Sequence, residues 1–553
     1  MDVILVGLPG SGKTAVGRRL AHHHGAEFID LDEVVERHAG QSIPDIFASQ
    51  GEAGFRSLER AAVADLGPAD RDPAVRRVVA TGGGAVLDPR NRWRLYRRRL
   101  PIWLDARPEV LAQRLRRSPT IRPLVVGRDP ISAMRGLADG RRPFYAGAER
   151  VNAIVQLPSV LETVDNLVAE APSRRGTLLL RSDSRLGRVT IGEGILGTAL
   201  VEELMRLEAR RAVVITEPGA WNAVGGEIRE SLAARAIPLE IVELPQGEAA
   251  KRMAVIEETA RTLADLRVAR DEPLVAVGGG ALGDAAGFLA AVWLRGVPLI
   301  HLPTTLVAQI DSSIGGKTGV DLPEGKNLIG AFHQPAAIVI DVAVLRSLPE
   351  RERRAALGEA VKMAILGDER LFELLESDGD AIVHGEDAVF EDGTVAELVE
   401  RCAWKKIEVV SADEREADSD AGAGRIRLNL GHTVGHGLEA AAGYSGLRHG
   451  EAVAYGLRAA CRLGAALGST PGARADRVEA LLSRLGLGVD PLHLALDAIL
   501  AALDTDKKHA GDGRLRWVLP NEAGVEVRDD VPVDLIEEIV GGVLAGSGAP
   551  ART

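Results

Sequence analysis

Three of the chain's twelve histidines fall within eighteen residues: His432, His436 and His449 lie in RLNLGHTVGHGLEAAAGYSGLRHGE, residues 427–451. Neutral imidazole binds divalent cations and titrates near neutral pH, so this density suits a metal ion or a proton relay. If residues 429–442 are helical, His432 and His436 sit one turn apart on one face, and His449 closes the site from the next segment. Spacing alone leaves open which of the three ligate and which serve as a base.

At the other end of the chain, GLPGSGKT (residues 7–14) follows a β-branched run at residues 3–6 and opens a helical pattern through residue 24. This is G-x-x-x-x-G-K-[ST] in the strand, loop and helix context that it requires. Backbone N–H groups of Gly10, Gly12, Lys13, Thr14 and Ala15 would wrap nucleotide phosphates, Lys13 would neutralise their β and γ oxygens, and the Thr14 hydroxyl would hold Mg²⁺. The first domain is therefore expected to bind a nucleoside triphosphate. Acceptor-side candidates are Asp32 at the end of EFIDLD, Arg56 after Phe55, and the triplet Gly82, Gly83 and Gly84. They stand at strand ends, where α/β sheets bind ligands. The Arg-rich segment 114–128, containing SPTIRPLV, has the composition of a lid that brings Arg122 onto the transferring phosphate; RRPFY at 141–145 follows it.

A third polar cluster occupies residues 302–327, LPTTLVAQIDSSIGGKTGVDLPEGKN. Thr304, Thr305, Asp311, Lys317, Lys326 and Asn327 are spaced along short apolar runs, and polar groups so placed line a pocket rather than a core. Just upstream, GGGALGD (278–284) joins a buried strand at 273–277 to a helix. Such a turn lets backbone approach a pyrophosphate, though alone it could equally be a tight turn. GEAVK at 358–362 places Glu359 and Lys362 on one helix face.

The elements that must position these groups alternate. Strands at 211–216 and 238–244 interleave with helices near 220–235 and 250–266, the rhythm of a parallel sheet with crossover helices. Beyond Pro349 the pattern is mainly helical. Lys507 and Lys508, in DTDKKHAGDGRLRWVLP, read as a solvated turn before a hairpin strand. APSRRG (171–176) mixes Pro, Ser, Gly and charge, marking a linker. The expected architecture is α/β: a P-loop domain at 1–170, a Rossmann-like α/β domain at 177–348 and a mainly helical domain at 349–553.

Composition bounds the partners. At 553 residues, 46% apolar and 26% charged, the chain has the make-up of several soluble globular domains. A net charge of −12 disfavours nucleic acid and anionic membrane as partners. The apolar run 273–303 carries Asp284 and Arg295 and reads as buried strands and a helix rather than a membrane span. Cys402 and Cys461 are too far apart for a CxxC site, and the start MDVILVGLPG has no basic region or cleavage site. A reducing, cytoplasmic location is expected.

The P-loop, Asp32, Phe55-Arg56, Gly82-Gly83-Gly84, Arg122 before Pro-Leu and R-x-P-x-Y at Arg141 together resemble shikimate kinase over residues 1–170. The resemblance implies that Asp32, Arg56, Arg141 and the glycine triplet hold shikimate, with Asp32 near the phosphorylated hydroxyl and Arg122 reaching ATP. The segment NAIVQLPSVLETV lacks the basic residue expected near adenine. From 177 onward, GGGALGD, PTT-x₅-DSSIGGKTGVD-x₃-GKN, GEAVK, DERE, LNLGHTVGH, HGEAVAYG and DKK resemble 3-dehydroquinate synthase, a two-domain, NAD- and zinc-dependent family that is usually homodimeric.

That second resemblance implies Glu359, His432 and His449 as ligands of Zn²⁺ or Co²⁺, with NAD⁺ against Glu248, Lys251, Gly279, Gly280, Asp284, Thr304 and Thr305. It implies that Asp311, Lys317, Lys326, Asn327, Lys362, Lys406, Arg425, Asn429, His436 and one of Lys507 or Lys508 hold 3-deoxy-D-arabino-heptulosonate 7-phosphate. Asp311, Lys317, Lys362 and His436 would be catalytic there, as Lys13, Asp32 and Arg122 would be in the kinase. The loop ADSDAGAG before Arg425 looks longer than the family's, which leaves Arg427 as an alternative to Arg425. Two shikimate-pathway activities on one chain is the expected function; the alternative is a related sugar-phosphate cyclase fused to a nucleotide-sensing or interaction module.

Overall fold

A computed structural model of the protein describes residues 1–69, 74–116, 129–171, 176–416, 424–444, 446–509 and 515–546, with backbone only at 504–509. The chain folds into two compact units. One comprises Met1–Ser184, Arg188–Ala199 and Val339–Val342; the other comprises Arg185–Gly187, Leu200–Ile338 and Ala343–Thr553.

In the first unit, β1 (Asp2–Val6), β2 (Glu27–Asp30), β3 (Arg77–Ala80), β4 (Leu100–Asp105) and β5 (Glu149–Asn152) form a parallel sheet in the order β2-β3-β1-β4-β5. Val3, Ile4, Leu5 and Val6 are fully buried, as a central strand covered on both faces requires. The chain passes to opposite sides of β1, so the end of β1 is the switch point where α/β sheets bind ligands. The loop at 7–12 leaves it there and delivers the helix Lys13–His24. Gly12, at φ 98°, caps this helix in a left-handed conformation that a side chain would strain.

Two further helices complete this wall. Ile43–Ala64 breaks at Gly51 (φ 69°), and its second half carries Phe55 and Arg56. Pro130–Tyr145 carries Arg141 near its end. Two neighbouring strands, β6 (Thr177–Ser184) and β7 (Gly187–Glu193), follow the segment 171–176. Gly147 lies against β6 so closely that a Cβ would stand 2.8 Å from the Leu179 carbonyl oxygen.

In the second unit, β8 (Ala212–Thr216), β9 (Leu239–Glu243), β10 (Leu274–Gly278), β11 (Leu299–Pro303) and the start of β14 (Ala337–Asp341) are parallel, ordered β14-β11-β10-β8-β9. The chain passes to opposite sides of β8, so the switch point lies between β8 and β10, and the glycine-rich turn leaves the end of β10 for the helix Gly280–Val292. The hairpin β12 (Lys317–Leu322) and β13 (Gly325–Phe332) precedes β14. A π-helical turn, Ala308–Ser312, holds Asp311; such turns recur at functional sites.

From Glu350 the unit is helical, and two of its helices, Glu350–Ile365 and His449–Ala466, cross at glycine. A Cβ on Gly358 would stand 2.3 Å from the Gly450 oxygen, and one on Gly450 would stand 1.9 Å from the Ala355 oxygen. Only residues without a side chain permit this approach. A second hairpin, β15 (Trp517–Pro520) and β16 (Val525–Arg528), follows the helix Leu496–His509. No helix among the described residues is long and apolar enough to cross a membrane.

Candidate active sites

In the first unit the P-loop cation is folded onto its own loop: Lys13 Nζ donates to the carbonyls of Gly7 (2.8 Å) and Leu8 (3.2 Å). Thr14 donates to Asp30 Oδ2 at 2.8 Å, while Asp30 Oδ1 accepts from the backbone N–H of Asp32 at 3.1 Å. A hydroxyl and a carboxylate side by side at the phosphate loop are oxygen donors of the kind Mg²⁺ takes. Asp30 was not among the residues expected from sequence.

The glycine triplet is the floor on which the acceptor-side residues meet. A Cβ on Gly82 would approach Asp32 Oδ1 to 2.8 Å and Glu59 Oε1 to 2.7 Å; one on Gly83 would approach Arg141 Nη1 to 3.2 Å; one on Gly84 would approach Arg56 Nη1 and Nη2 to 2.5 Å. Asp32, Arg56, Arg141 and the triplet, separated by over a hundred residues in sequence, thus surround one spot. Arg141 Nη1 donates to the Gly83 carbonyl at 2.8 Å, and the Tyr145 hydroxyl donates to the same oxygen. Arg56 is braced by Glu52 and by the buried Glu59, whose carboxyl is pushed up by burial despite the Arg56 guanidinium. Two arginines and a carboxylate around a glycine floor suit a small hydroxylated carboxylic acid. Arg122 lies outside the described residues.

In the second unit, Glu359, His432 and His449 bring one ligand atom each to within 4.8 Å of one another. Glu359 Oε1 lies 3.3 Å from His432 Nε2 and 3.2 Å from His449 Nε2. The carboxyl is fully buried, and neither oxygen has a well-angled hydrogen-bond donor, although Lys362 Nζ stands 2.5 Å from Oε2. Lys362 supplies one positive charge beside this carboxylate, and a metal ion seated between the imidazoles would supply the direct partner that its oxygens lack. The imidazoles are turned for ligation: His432 Nδ1 faces the Leu430 carbonyl at 3.1 Å and His449 Nδ1 faces Glu439 Oε2 at 3.2 Å, leaving both Nε2 atoms towards Glu359. Burial, with Lys362, holds His432 down to about 3, so it is neutral. His449 is raised to about 10, because the neighbouring carboxylates of Glu359 and Glu439 outweigh burial; a cation bound at Nε2 would take the place of that proton. One carboxylate and two imidazoles fit a zinc-like cation and leave coordination positions for substrate.

A chain of charge leads away from the trio. Lys362 reaches Asp311 Oδ1 at 3.7 Å, and Lys406 Nζ reaches the same oxygen at 2.9 Å. The two lysines hold Asp311 below the ordinary carboxylate range against its burial, while burial and Lys362 press Lys406 down. His436 is not one of the trio whose ligand atoms converge, although its ring centroid lies 5.3 Å from that of His432, much as that of His449 does at 5.2 Å. It lines a cleft of about 1310 Å³ together with His449, Asp311, Lys326 and Asn327. Glu248, Lys251, Gly279, Gly280, Asp284, Thr304 and Thr305, all expected against a dinucleotide, line the same cleft.

Residues 241–355 and 356–509 match the family models described as 3-dehydroquinate synthase N-terminal and 3-dehydroquinate synthase C-terminal. The chain is 42% identical over 347 residues to the 3-dehydroquinate synthase of Synechococcus sp. (strain CC9605), covering 62% of this chain and 91% of that one. The chain belongs to the 3-dehydroquinate synthase family. Residues 9–170 match the model described as shikimate kinase, so a shikimate kinase domain precedes the synthase on one chain. The 3-dehydroquinate synthase of Solibacter usitatus is 40% identical over 371 residues, covering 66% of this chain and 99% of that one. Among solved structures, the 2-epi-5-epi-valiolone synthase of Streptomyces hygroscopicus, with NAD⁺ and Zn²⁺ bound, is 27% identical, with a TM-score of 0.58, covering 66% of this chain and 96% of that one.

The synthase's remaining expected groups are placed unevenly. Lys317, half exposed, pairs with Glu416, and Asn429 donates to the same carboxylate at 3.2 Å. Arg425 donates to the Gly315 and Glu414 carbonyls and is buried; with Asn429 it lies on the helical turn Arg425–Asn429, just before the helix His432–Ala441. Lys507 and Lys508 were expected on a turn, but the backbone there is the last stretch of the helix Leu496–His509. Ile499 and Leu503, buried one helical turn apart, anchor the helix that runs on into DTDKKH. Sequence reading missed Glu439, which is 5% exposed and joins His449 to Lys326 Oε1 to Nζ at 3.1 Å. Its place in HTVGHGLEA, three residues after His436 on one helix face, was the available signal.

Proposed function

We infer that the two units carry two reactions of aromatic biosynthesis: ATP-dependent phosphorylation of shikimate, and conversion of 3-deoxy-D-arabino-heptulosonate 7-phosphate to 3-dehydroquinate and phosphate. The observation that carries the second is the buried, donor-poor carboxylate of Glu359 between two oriented imidazoles, beside a cleft lined by Gly279, Gly280, Asp284 and Thr305. When bound, NAD⁺ supplies a hydride acceptor and Zn²⁺ or Co²⁺ polarises a substrate oxygen. Lys362 and Lys406 fix the ionised Asp311, which orients substrate hydroxyls. Lys317, Lys326, Asn327, Arg425 and Asn429 supply donors for the phosphate and steady its departure, and His436 moves the proton that elimination requires. One of Lys507 or Lys508 is assigned to the substrate as well.

In the kinase, Lys13 and the backbone of Gly10, Gly12, Thr14 and Ala15 hold ATP, Thr14 with Asp30 holds Mg²⁺, and Arg122 serves the transferring phosphate. Asp32 takes the acceptor hydroxyl while Arg56 and Arg141 hold the carboxylate of shikimate. We assign the kinase to 1–170, a linker to 171–176, the dinucleotide domain to 177–348 and the metal-binding domain to 349–553. The synthase half is assigned a homodimer, to be checked by sedimentation. Cytoplasmic residence is supported by two free, buried thiols, Cys402 and Cys461.

The test supplies the heptulosonate phosphate with NAD⁺ and Zn²⁺ and follows phosphate and NADH together. Phosphate release with no net NADH is expected. Release only from another sugar phosphate would make the synthase half a related cyclase. For the kinase, shikimate-dependent ADP formation is expected and should vanish in Lys13→Met; equal rates in both would leave a nucleotide-sensing module.

A further inference from the structure

A second cluster of ligating side chains lies in the first unit, away from the phosphate loop and the glycine floor. His23 and His24 end the helix Lys13–His24, and Asp165 projects from the helix Leu157–Glu170. His24 Nε2 lies 2.8 Å from Asp165 Oδ1, His23 Nε2 lies 3.7 Å from Asp165 Oδ2, and the three ligand atoms fall within 4.8 Å of one another. Two neighbouring helical residues normally diverge; here the rings turn back to share one carboxylate, with centroids 5.0 Å apart at 82°. Gly25, left-handed at φ 61°, stops the helix at this point, and the negative end of the helix dipole favours positive charge there.

We propose that His23, His24 and Asp165 form a second divalent-metal site, for a borderline transition cation such as Zn²⁺, Co²⁺ or Ni²⁺. Two imidazoles and one carboxylate select that class over Mg²⁺ or Ca²⁺, which take oxygen donors. Tetrahedral bonds of roughly 2.0–2.2 Å set donors about 3.3 Å apart, a spacing that the trio reaches by small side-chain rotations. His23 is largely exposed, so the remaining coordination positions open to water. The ion would clip the helix that carries Lys13 and Thr14 to the helix that closes the kinase domain.

Equilibrium dialysis of the full chain against Co²⁺, with the visible spectrum of the bound ion, tests this. Two equivalents are expected for the native chain and one for His23→Ala, an exposed position whose loss does not threaten folding. Asp165→Asn should also bind one, whereas His22→Ala, adjacent in sequence but outside the trio, should keep two. Glu359→Gln separates the two sites: it should lower the count in native and His23→Ala chains alike, leaving one and none. Co²⁺ should also raise the thermal midpoint of the Glu359→Gln chain, and His23→Ala should abolish that rise. A Glu359→Gln chain that binds none, or a His23→Ala chain that binds as many equivalents as the native one, would overturn the proposal. The outcome is independent of whether either proposed reaction is correct, since binding alone is read.

Discussion

The cations of the two sites are held by different kinds of anchor. In the kinase, Lys13 rests on the carbonyls of Gly7 and Leu8, and Arg141 rests on that of Gly83. In the synthase, Lys362 faces Glu359 and Asp311, Lys406 faces Asp311, Lys326 faces Glu439 and Glu248, and Lys251 faces Asp284. A neutral carbonyl can be given up to an arriving phosphate without leaving a charge unpaired. A buried carboxylate cannot, because its partner's departure costs several kcal/mol. The kinase site is therefore locally adjustable, while the synthase site is one electrostatic chain in which each member depends on the next. Among the described residues Arg56, paired with the buried Glu59, brings the second style into the first site, and Arg425, on the carbonyls of Gly315 and Glu414, brings the first style into the second.

The largest effects should come from cutting each machine at its centre. Lys13→Met should lower shikimate-dependent ADP formation by about 10³-fold, with the cyclisation rate unchanged. Glu359→Gln should lower phosphate release from the heptulosonate phosphate by a similar factor and leave ADP formation untouched. Loss of both activities in either variant would show that the two sites are not separate. Next is Gly450→Ala. Its Cβ would meet the Ala355 oxygen at 1.9 Å, so the two helices must part and carry His449 away from Glu359. A displacement of about 1 Å at reacting groups costs about 10²-fold in rate. Steady-state kinetics of both reactions should show that loss in the synthase alone.

Glu439→Gln probes the chain one step further out. The carboxylate accepts from His449 Nδ1 and from Lys326, and both partners hold it down to about 2 despite burial. An amide there weakens the orientation of His449, and loss of such a partner typically costs 10- to 100-fold in metal affinity. Competition with a chelator measures it. Unchanged affinity would mean that His449 is positioned by its helix alone.

These dependencies explain what could be read from the chain beforehand. Lys13, Thr14 and the triplet at 82–84 lie in short contiguous motifs at strand ends, where local geometry is most of the answer. Parallel strands were legible for the same reason, as buried β-branched runs. The metal trio is different: Glu359 and His449 meet through the glycine crossing at Gly358 and Gly450, a tertiary approach that no spacing encodes. Helical spacing put His436 on one face with His432 and left the choice of ligands open; in the structure His436 lines the cleft, outside the trio of converging ligand atoms. The acids Asp30, Glu59 and Glu439 have no assigned role in the sequence reading because a single acid reads as solvated until its cationic partner is in place; Glu416 enters it only as part of DERE.

The mildest test lies at the Gly83 carbonyl, which accepts from both Arg141 and Tyr145. Tyr145 is buried and its hydroxyl is pushed up to about 12, so it acts as a donor throughout the working range. Tyr145→Phe removes one donor from an oxygen with two lone pairs, and Arg141 still satisfies it. A single neutral hydrogen bond contributes about 1 kcal/mol, or about fivefold. The KM for shikimate should rise by about that factor, with kcat nearly constant, because the floor that orients the acid loosens while Asp32 and the phosphate loop are untouched. A loss of 10²-fold or more would mean that the kinase site is as tightly coupled as the synthase chain. The contrast between carbonyl-anchored and carboxylate-anchored cations would then no longer distinguish the two sites.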